Sequence, residues 1–216
     1  MMPRFPSLAA LRRGILALGL ALLATAGGTA HAQAVSPTAQ RIADHFSSIR
    51  TMKGEFVQFG PRGEQLGGTF FIERPGRIRF NYEAPSQYRV VSDGKSVVIS
   101  NNKLRTADLY PLSKTPLKLL LDERIDLSGN RVQQVREEGD LTVITLADKS
   151  VFGNSTITMM FDPQSYELRQ WTIRDAQGKD TTVMIFNVEN GVRFDPKIFE
   201  IDYARVTEMN SVQHGR

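Results

Sequence analysis

The chain has 216 residues, of which 41% are hydrophobic and 23% are charged, and it contains no cysteine. This length fits a single domain, and the lack of cysteine excludes disulfides, thiolate metal sites and a cysteine nucleophile. The formal net charge is +4, a basic balance that raises the question of a nucleic-acid partner.

Residues 1–32 have the pattern of a secretory signal peptide. Three arginines and no acidic residue accompany an apolar run over about residues 14–26, and the segment ends in Ala30-His31-Ala32. The run is shorter than the roughly 20 residues that span a bilayer. We expect export and cleavage after Ala32. Cleavage after Ala34, an uncleaved anchor, and the general or the twin-arginine export route stay open.

Without this segment the charge has a different meaning. The 27 Lys and Arg of the whole chain become 24, against 23 Asp and Glu, so residues 33–216 carry a net charge of +1. Charges of both signs are mixed along this part, as in Asp122-Glu123-Arg124. Nucleic-acid binding depends on an excess of cationic side chains, and we therefore expect no nucleic-acid partner.

A helix is predicted at the start of the exported chain. Ser36 is a typical N-cap, and Pro37 suits the first helical position. Five apolar residues follow at helical spacing. They are Ala39, Ile42, Ala43, Phe46 and Ile49.

From Met52 onward apolar residues recur at every second position, which is the spacing of a half-buried strand. The clearest run places Ile78, Phe80 and Tyr82 on one face. Further strands are predicted near 68–73, 88–91, 97–100, 103–109, 132–136, 141–146, 155–161, 167–174 and 181–188. A short apolar helix is predicted over 117–121, and a helical turn over 195–199. This spacing indicates an antiparallel meander, a barrel or a strongly curved sheet.

Motifs that carry chemistry are absent from the sequence. It has no P-loop, no G-x-S-x-G elbow and no EF-hand loop, and its three histidines lack metal-ligand spacing. Asp122, Glu123 and Asp126 form an acidic cluster, for which a solvated loop is a better interpretation than a metal site. We expect no enzyme, no cofactor and no metal. Carboxylates that meet only in the folded chain leave a hydrolase open.

Several segments share motifs with a known family. The longest runs from Glu73 to Pro85 and reads Glu-Arg-Pro-Gly-Arg-Ile-Arg-Phe-Asn-Tyr-Glu-Ala-Pro. Shorter ones are Phe56-x-Gln58, Gly67 to Phe70, Val91 to Lys95 and Thr115 to Leu120. Together they resemble the periplasmic outer-membrane lipoprotein carrier family (LolA-like), over most of residues 36–121. The chain departs from that family at 97–103 and at Tyr203-Ala204-Arg205-Val206, where the family has Pro-Pro-x-Gly.

The resemblance implies a mainly β fold with a single strongly curved antiparallel sheet. This sheet is an incomplete β-barrel of about 10 or 11 strands, with helical lids over an apolar cavity. The domain implied is 33–216, with a flexible tail after about residue 205. Receptors of the same fold need a lipidated cysteine, which this chain lacks.

The resemblance also implies a soluble, monomeric periplasmic carrier that shields lipoprotein acyl chains and shuttles lipoproteins from the inner to the outer membrane. Its implied partners are acylated lipoproteins as cargo, an inner-membrane ABC-type release complex and an outer-membrane receptor. Binding of another lipid, or sensing of lipoproteins, is the alternative function for the same fold.

The resemblance assigns roles to individual residues. Arg74 matches an arginine that holds the lid closed through hydrogen bonds. Ile78 and Phe80 match apolar positions at the cavity edge and wall. The other predicted wall residues are Phe56, Tyr82, Met159 and Trp171. The predicted lid residues are Ile42, Phe46 and Ile49 on the first helix and Leu117 and Leu120 on the second.

Overall fold

The computed structural model describes residues 36–127 and 131–214, apart from the side chains at positions 150, 152 and 212–214. The predicted signal peptide, residues 1–32, and the choice between its cleavage sites lie outside the described residues. The predicted fold class is confirmed, because the chain forms one antiparallel sheet of 11 strands that is not closed into a barrel.

The elements have the following bounds. The strands are β1 (Thr51–Phe59), β2 (Gln65–Glu73), β3 (Arg77–Tyr82), β4 (Tyr88–Asp93), β5 (Ser96–Asn101), β6 (Thr106–Pro111), β7 (Val132–Glu138), β8 (Leu141–Ala147), β9 (Thr156–Phe161), β10 (Leu168–Arg174) and β11 (Asp180–Asn190). The helices are α1 (Pro37–Ser48), α2 (Leu117–Leu121), α3 (Lys149–Phe152) and α4 (Tyr203–His214), with 3-10 turns at Leu112–Lys114 and Pro196–Phe199.

The order of the strands requires the chain to cross the sheet once. Across the sheet they run β6-β5-β4-β3-β2-β1-β11-β10-β9-β8-β7. Consecutive hairpins lead from β1 to the β6 edge, and the second half returns from the β7 edge until β11 pairs with β1. The segment between β6 and β7 therefore passes from one edge to the other. It carries α2, which packs with the main apolar cluster of the sheet. We call the face that carries this cluster, with Phe56, Ile78 and Trp171, the inner face, and the opposite one the outer face.

Contacts between aromatic rings show that the sheet curves strongly around its inner face. β3 and β10 are four strands apart, which corresponds to roughly 19 Å in a flat sheet. The rings of Phe80 on β3 and Trp171 on β10 are nevertheless 6.1 Å apart. Side chains of distant strands therefore meet one another, and the two halves of one sheet share a single core.

The strand register follows the predicted alternation. Ile78 lies between Ile72 on β2 and Ser92 on β4, and it is completely buried. Arg79, one residue later, points to the outer face and donates to the carbonyl oxygen of Ile198 at 2.9 Å. At Gly68 on β2, an added Cβ would lie 2.0 Å from the carbonyl oxygen of Asn81. Only glycine permits this close approach of β2 and β3.

Helix α1 begins where the sequence predicts it. The Ser36 side chain accepts a hydrogen bond from the backbone N–H of Ala39 at 3.1 Å, and Pro37 is in the first turn. Four residues of the predicted apolar stripe are buried, while Ile49 lies just beyond the helix as its C-cap. No helix in the described residues is both long and apolar enough to cross a bilayer.

The C-terminal segment differs from the expectation of a flexible tail after about residue 205. It forms α4, in which Val206 and Met209 pack against Val98 and Ala107 on the outer face. The Asp202 carboxylate accepts a hydrogen bond from the N–H of Arg205 at 3.0 Å and so caps the helix. Two apolar residues one turn apart are too weak a pattern to predict a helix from sequence.

We predict that Met209→Ala loosens α4 without unfolding the sheet. The substitution removes most of the side chain from a small apolar cluster, and truncations of this kind cost about 2 kcal/mol or more. Amide hydrogen exchange in α4 should therefore become faster while exchange in β1 stays slow. Thr207→Ala, on the exposed side of the same helix, is the matched control. Equal effects of the two variants would contradict the packing of α4 on the sheet.

Candidate functional site

The turn between β2 and β3 carries a buried arginine that contacts the two helices on the inner face, α1 and α2. Arg74 is 4% exposed. Its Nη1 donates to the carbonyl oxygens of Phe46 at 3.1 Å and Ile49 at 2.5 Å, at the end of α1. Its Nε donates to the carbonyl oxygen of Leu120 in α2 at 3.3 Å. One side chain therefore joins the two helices that the sequence predicts as lids.

The ends of the helices explain why an arginine occupies this place. The last carbonyl groups of a helix have no partner within it, and a planar guanidinium supplies several donors at once. The same turn contributes the N–H of Gly76, which donates to the carbonyl oxygen of Leu121 at 2.9 Å. Gly76 has φ +82°, a conformation that favours glycine. The β2–β3 turn thus satisfies the ends of α1 and α2 together.

Burial shapes the electrostatics of Arg74. Burial, and secondarily the charge of Arg50, lower the pKa of Arg74 to about 10, so the side chain is still charged at neutral pH. Its guanidinium carbon lies 3.9 Å from the ring centroid of Phe46, which is a favourable cation–π geometry. Nη2 has no hydrogen-bond partner among the described residues. Backbone carbonyls and an aromatic ring therefore hold this charge.

The six predicted wall residues share the inner face. Phe56, Ile78, Phe80, Met159 and Trp171 are buried there, and Tyr82 packs against them half-buried. The rings of Phe56 and Phe80 are 4.7 Å apart, edge to face. The wall residues pack against one another beneath the helices and are largely shielded from solvent. Ile78, expected at a cavity edge, lies fully inside this core. Lining of a lipid cavity stays a prediction for all six.

The predicted lid residues contact the same core. Ile42, Phe46 and Leu120 are fully buried, while Ile49 and Leu117 are half-buried against the cluster. The rings of Phe46 on α1 and Phe161 on β9 are 5.3 Å apart in an edge-to-face arrangement. Both helices therefore pack on the inner face, and a role for these side chains as lids stays a prediction.

Sequence reasoning missed several residues of this site. Phe161 is two positions after Met159, so the two-residue period could have placed it on the inner face. Leu119 and Leu121 are also buried, but a five-residue helix gives no pattern that separates its faces. Ser47 Oγ accepts a hydrogen bond from the N–H of Ile125 at 3.0 Å. Nothing in the sequence indicates that contact.

A small opening lies beside the Arg74 contacts. It has a volume of about 80 Å³ at the C-terminal end of α1. Its apolar lining includes Phe46, Ile49, Met52, Leu168 and Ile185. Two of these residues, Phe46 and Ile49, bind Arg74 through their carbonyl oxygens. Movement of this end of α1 would break those bonds and widen the opening together.

Two residues of the acidic cluster form ion pairs. Asp122 pairs with Lys118, and Glu123 pairs with Arg50 at 2.7 Å. In the part of the chain that the structure describes, no group of three His, Cys, Asp or Glu residues is placed to hold a metal ion. Glu123 therefore connects the segment after α2 to Arg50, which directly precedes β1.

Comparison with known proteins agrees with this architecture. A profile of the family described as "Outer membrane lipoprotein carrier protein LolA" matches residues 47–202, which is well over half of the chain. The chain belongs to this family. The match to the LolA profile includes the Arg74 turn, α2, and the paired strands β1 and β11, where the two halves of the sheet meet. It ends just before α4.

The chain is also similar to individual proteins. Proteins named outer-membrane lipoprotein carrier protein include one from Methylococcus capsulatus, which is 25% identical over 78% of this chain and 85% of its own length. One from Pseudomonas aeruginosa is 26% identical over 88% and 95%, and one from Chromohalobacter salexigens is 28% identical over 87% and 90%. A solved LolA superfamily protein from Nitrosomonas europaea shares 10% identity, covering 78% of this chain and 100% of that one, with a TM-score of 0.42.

We predict that Tyr82→Phe makes the protein less sensitive to alkaline pH. Tyr82 donates a hydrogen bond to Gln58 Oε1 at 2.6 Å, and burial raises the pKa of Tyr82 to about 12. Because an unfolded tyrosine ionises near pH ~10, the folded state binds more protons between these values. The stability from this group is complete below pH ~10 and is lost as pH rises through about 12.

Urea unfolding across this pH window measures the effect. The wild type should lose about 2 kcal/mol more than Tyr82→Phe between the two pH values. Thr207→Ala, at an exposed residue of α4, is the control and should have the same pH profile as the wild type. Parallel pH profiles for the wild type and Tyr82→Phe would contradict the burial of the phenol.

Proposed function

We propose that the protein is a soluble periplasmic carrier that shields the acyl chains of lipoproteins and takes them from the inner to the outer membrane. The observation that carries this proposal is the inner face itself, an apolar and aromatic surface covered by two short helices. These helices are tied to the sheet through Arg74. Membership of a lipoprotein carrier family supports the same role.

A carrier of this kind answers a physical need. Each CH₂ taken out of water contributes about 0.8 kcal/mol, and two acyl chains hold a protein stably on a membrane. An acylated protein therefore needs an apolar shelter to cross an aqueous compartment. The inner face offers such a shelter if α1 and α2 move away from Phe56, Phe80 and Trp171.

The two helices α1 and α2, here called the cover, can open at a modest cost in free energy. Arg74 makes three hydrogen bonds to α1 and α2, and a net hydrogen bond contributes about 1 kcal/mol. When acyl chains enter, the aromatic side chains of the inner face would lose contacts with one another and gain similar apolar contacts with the cargo. Removal of the acyl chains from water then drives loading, and the Arg74 contacts favour the empty, closed form.

The proposal includes partners. An inner-membrane ABC-type release complex would supply the acylated lipoprotein, and an outer-membrane receptor would accept it. Residues 1–32 would direct export and be removed. Binding, and not catalysis, is the activity we assign to the inner face.

Depletion in the native host tests the function. If the protein carries lipoproteins, depletion should leave lipoproteins in the inner-membrane fraction after membrane separation. The purified protein should also bind a fluorescent apolar probe that a diacylated lipopeptide displaces. Normal sorting after depletion would contradict the carrier role. Displacement by free lipids but not by the lipopeptide would favour a carrier of another lipid.

We predict that Arg74→Leu binds cargo but releases it more slowly. Loss of three hydrogen bonds removes up to about 3 kcal/mol that favours the closed, empty form. Release of a labelled diacylated lipopeptide to acceptor vesicles should therefore slow by about 10- to 100-fold, while the cargo still binds. Stopped-flow fluorescence measures the rate.

Arg77→Leu is the matched control for this experiment. Arg77 begins β3, three residues after Arg74, and its guanidinium binds Glu73 at 2.6 Å with no bond to either inner helix among those described. It should release cargo at the wild-type rate. Arg74→Lys should be intermediate, since an ammonium group lacks the fork that reaches both helices. Equal release rates for Arg74→Leu and the wild type would exclude Arg74 as the contact that controls the cover.

A further inference from the structure

A second cavity lies on the outer face of the sheet, between β3–β6 and the segment that leads into α4. It has a volume of about 120 Å³. Its floor is apolar and consists of Val91, Val98, Ala107, Val206 and Met209, all buried. Its rim is polar and carries Arg79, Arg89 and Arg205, with Glu200 and Asp202. A charged rim above an apolar floor suits a ligand with one charged and one carbon-rich end.

The three guanidinium groups at this rim form no ion pair among the described residues. Arg79 donates to Asn81 Oδ1 at 2.8 Å and to the carbonyl oxygen of Ile198 at 2.9 Å, and Arg205 donates to Asn102 Oδ1 at 3.2 Å. These acceptors are all uncharged. No ion pair of the described residues involves Arg79, Arg89 or Arg205.

The charges of the rim add to a positive field. Burial and the neighbouring charge of Arg89 lower the pKa of Arg79, which means that two guanidinium groups are close enough to repel each other. Of the two carboxylates, Asp202 already accepts the N–H of Arg205. Glu200 is exposed. Three cations thus face two anions, and an anionic ligand would relieve the repulsion.

We propose that this outer cavity binds a phosphate monoester, with the phosphate on Arg79, Arg89 and Arg205 and the carbon substituent on the apolar floor. Guanidinium groups bind phosphate oxygens through paired hydrogen bonds, and a monoester presents three such oxygens. The cavity is smaller than the roughly 300–1,000 Å³ of a typical small-molecule site. It therefore accommodates a headgroup-sized ligand and no long acyl chain.

This site is separate from the proposed carrier site. It lies on the opposite face of the sheet from Phe56 and Ile78, and α4 supplies part of its floor. Neither Arg74 nor the helices α1 and α2 line it. Failure of one proposal therefore leaves the other unaffected.

Titration of residues 33–216 with glycerol 3-phosphate tests the proposal by ¹⁵N amide chemical shifts. The shifts should change around Val91 and Ile201, and higher salt should weaken binding. Arg89→Gln should weaken binding about five- to tenfold through loss of a charge-assisted contact, whereas Glu200→Gln should strengthen it about twofold through loss of repulsion. Arg62→Gln, at an exposed arginine in the β1–β2 turn, should have no effect.

Vesicles distinguish the two sources of the phosphate ester. If the natural ligand is a lipid headgroup, the protein should co-sediment with vesicles that contain phosphatidic acid, but not with pure phosphatidylcholine, and Arg89→Gln should abolish the difference. Binding of glycerol 3-phosphate without vesicle binding would assign the site to a soluble ester. No shift change at millimolar glycerol 3-phosphate and no preference for phosphatidic acid would overturn the proposal, as would equal losses in Arg62→Gln and Arg89→Gln.

Discussion

The arrangement of the inner face depends on one buried guanidinium. Arg74 is placed in a tight turn, and its donors reach carbonyl oxygens of α1 and α2. An isolated charge in an apolar core is costly. The guanidinium therefore requires the helix carbonyls as acceptors, and these carbonyls require its donors. If the helices move away, as the proposed carrier role requires, water can solvate the guanidinium. The contact therefore holds the cover in place while leaving a route to open it.

The open sheet explains why such a cover exists. A closed barrel buries its interior by itself, but this sheet ends at β6 and β7, and its apolar inner face needs another layer. The topology supplies that layer because the chain must cross between the two edges, and α2 lies on the crossing. A five-residue helix has little stability of its own. Its position depends on burial and on Arg74, which would suit the movement that the proposed carrier role requires.

The success of sequence reasoning depended on the range of the interaction. Helix α1 and the register of β3 follow from caps and periodicity within a few residues, so the pattern predicts both. The position of Arg74 came from a resemblance, since no local rule shows that the turn after β2 meets two helix ends. The contact between Phe80 and Trp171 depends on curvature accumulated over several strands. The helix α4 depends on Val98 and Ala107, which lie about a hundred residues earlier in the chain.

The close packing of the inner face has a consequence for release of a bound chain in the proposed carrier. A rigid, empty cavity would gain strongly from cargo and would be left as a costly void when the cargo departs. Here Phe56, Phe80 and Trp171 fill the space themselves, together with Phe46 from the cover. In the proposed carrier, these side chains would compete with acyl chains for the same volume. Closure would then recover packing at the moment of release, and the carrier would not rely on the acceptor alone to remove its cargo.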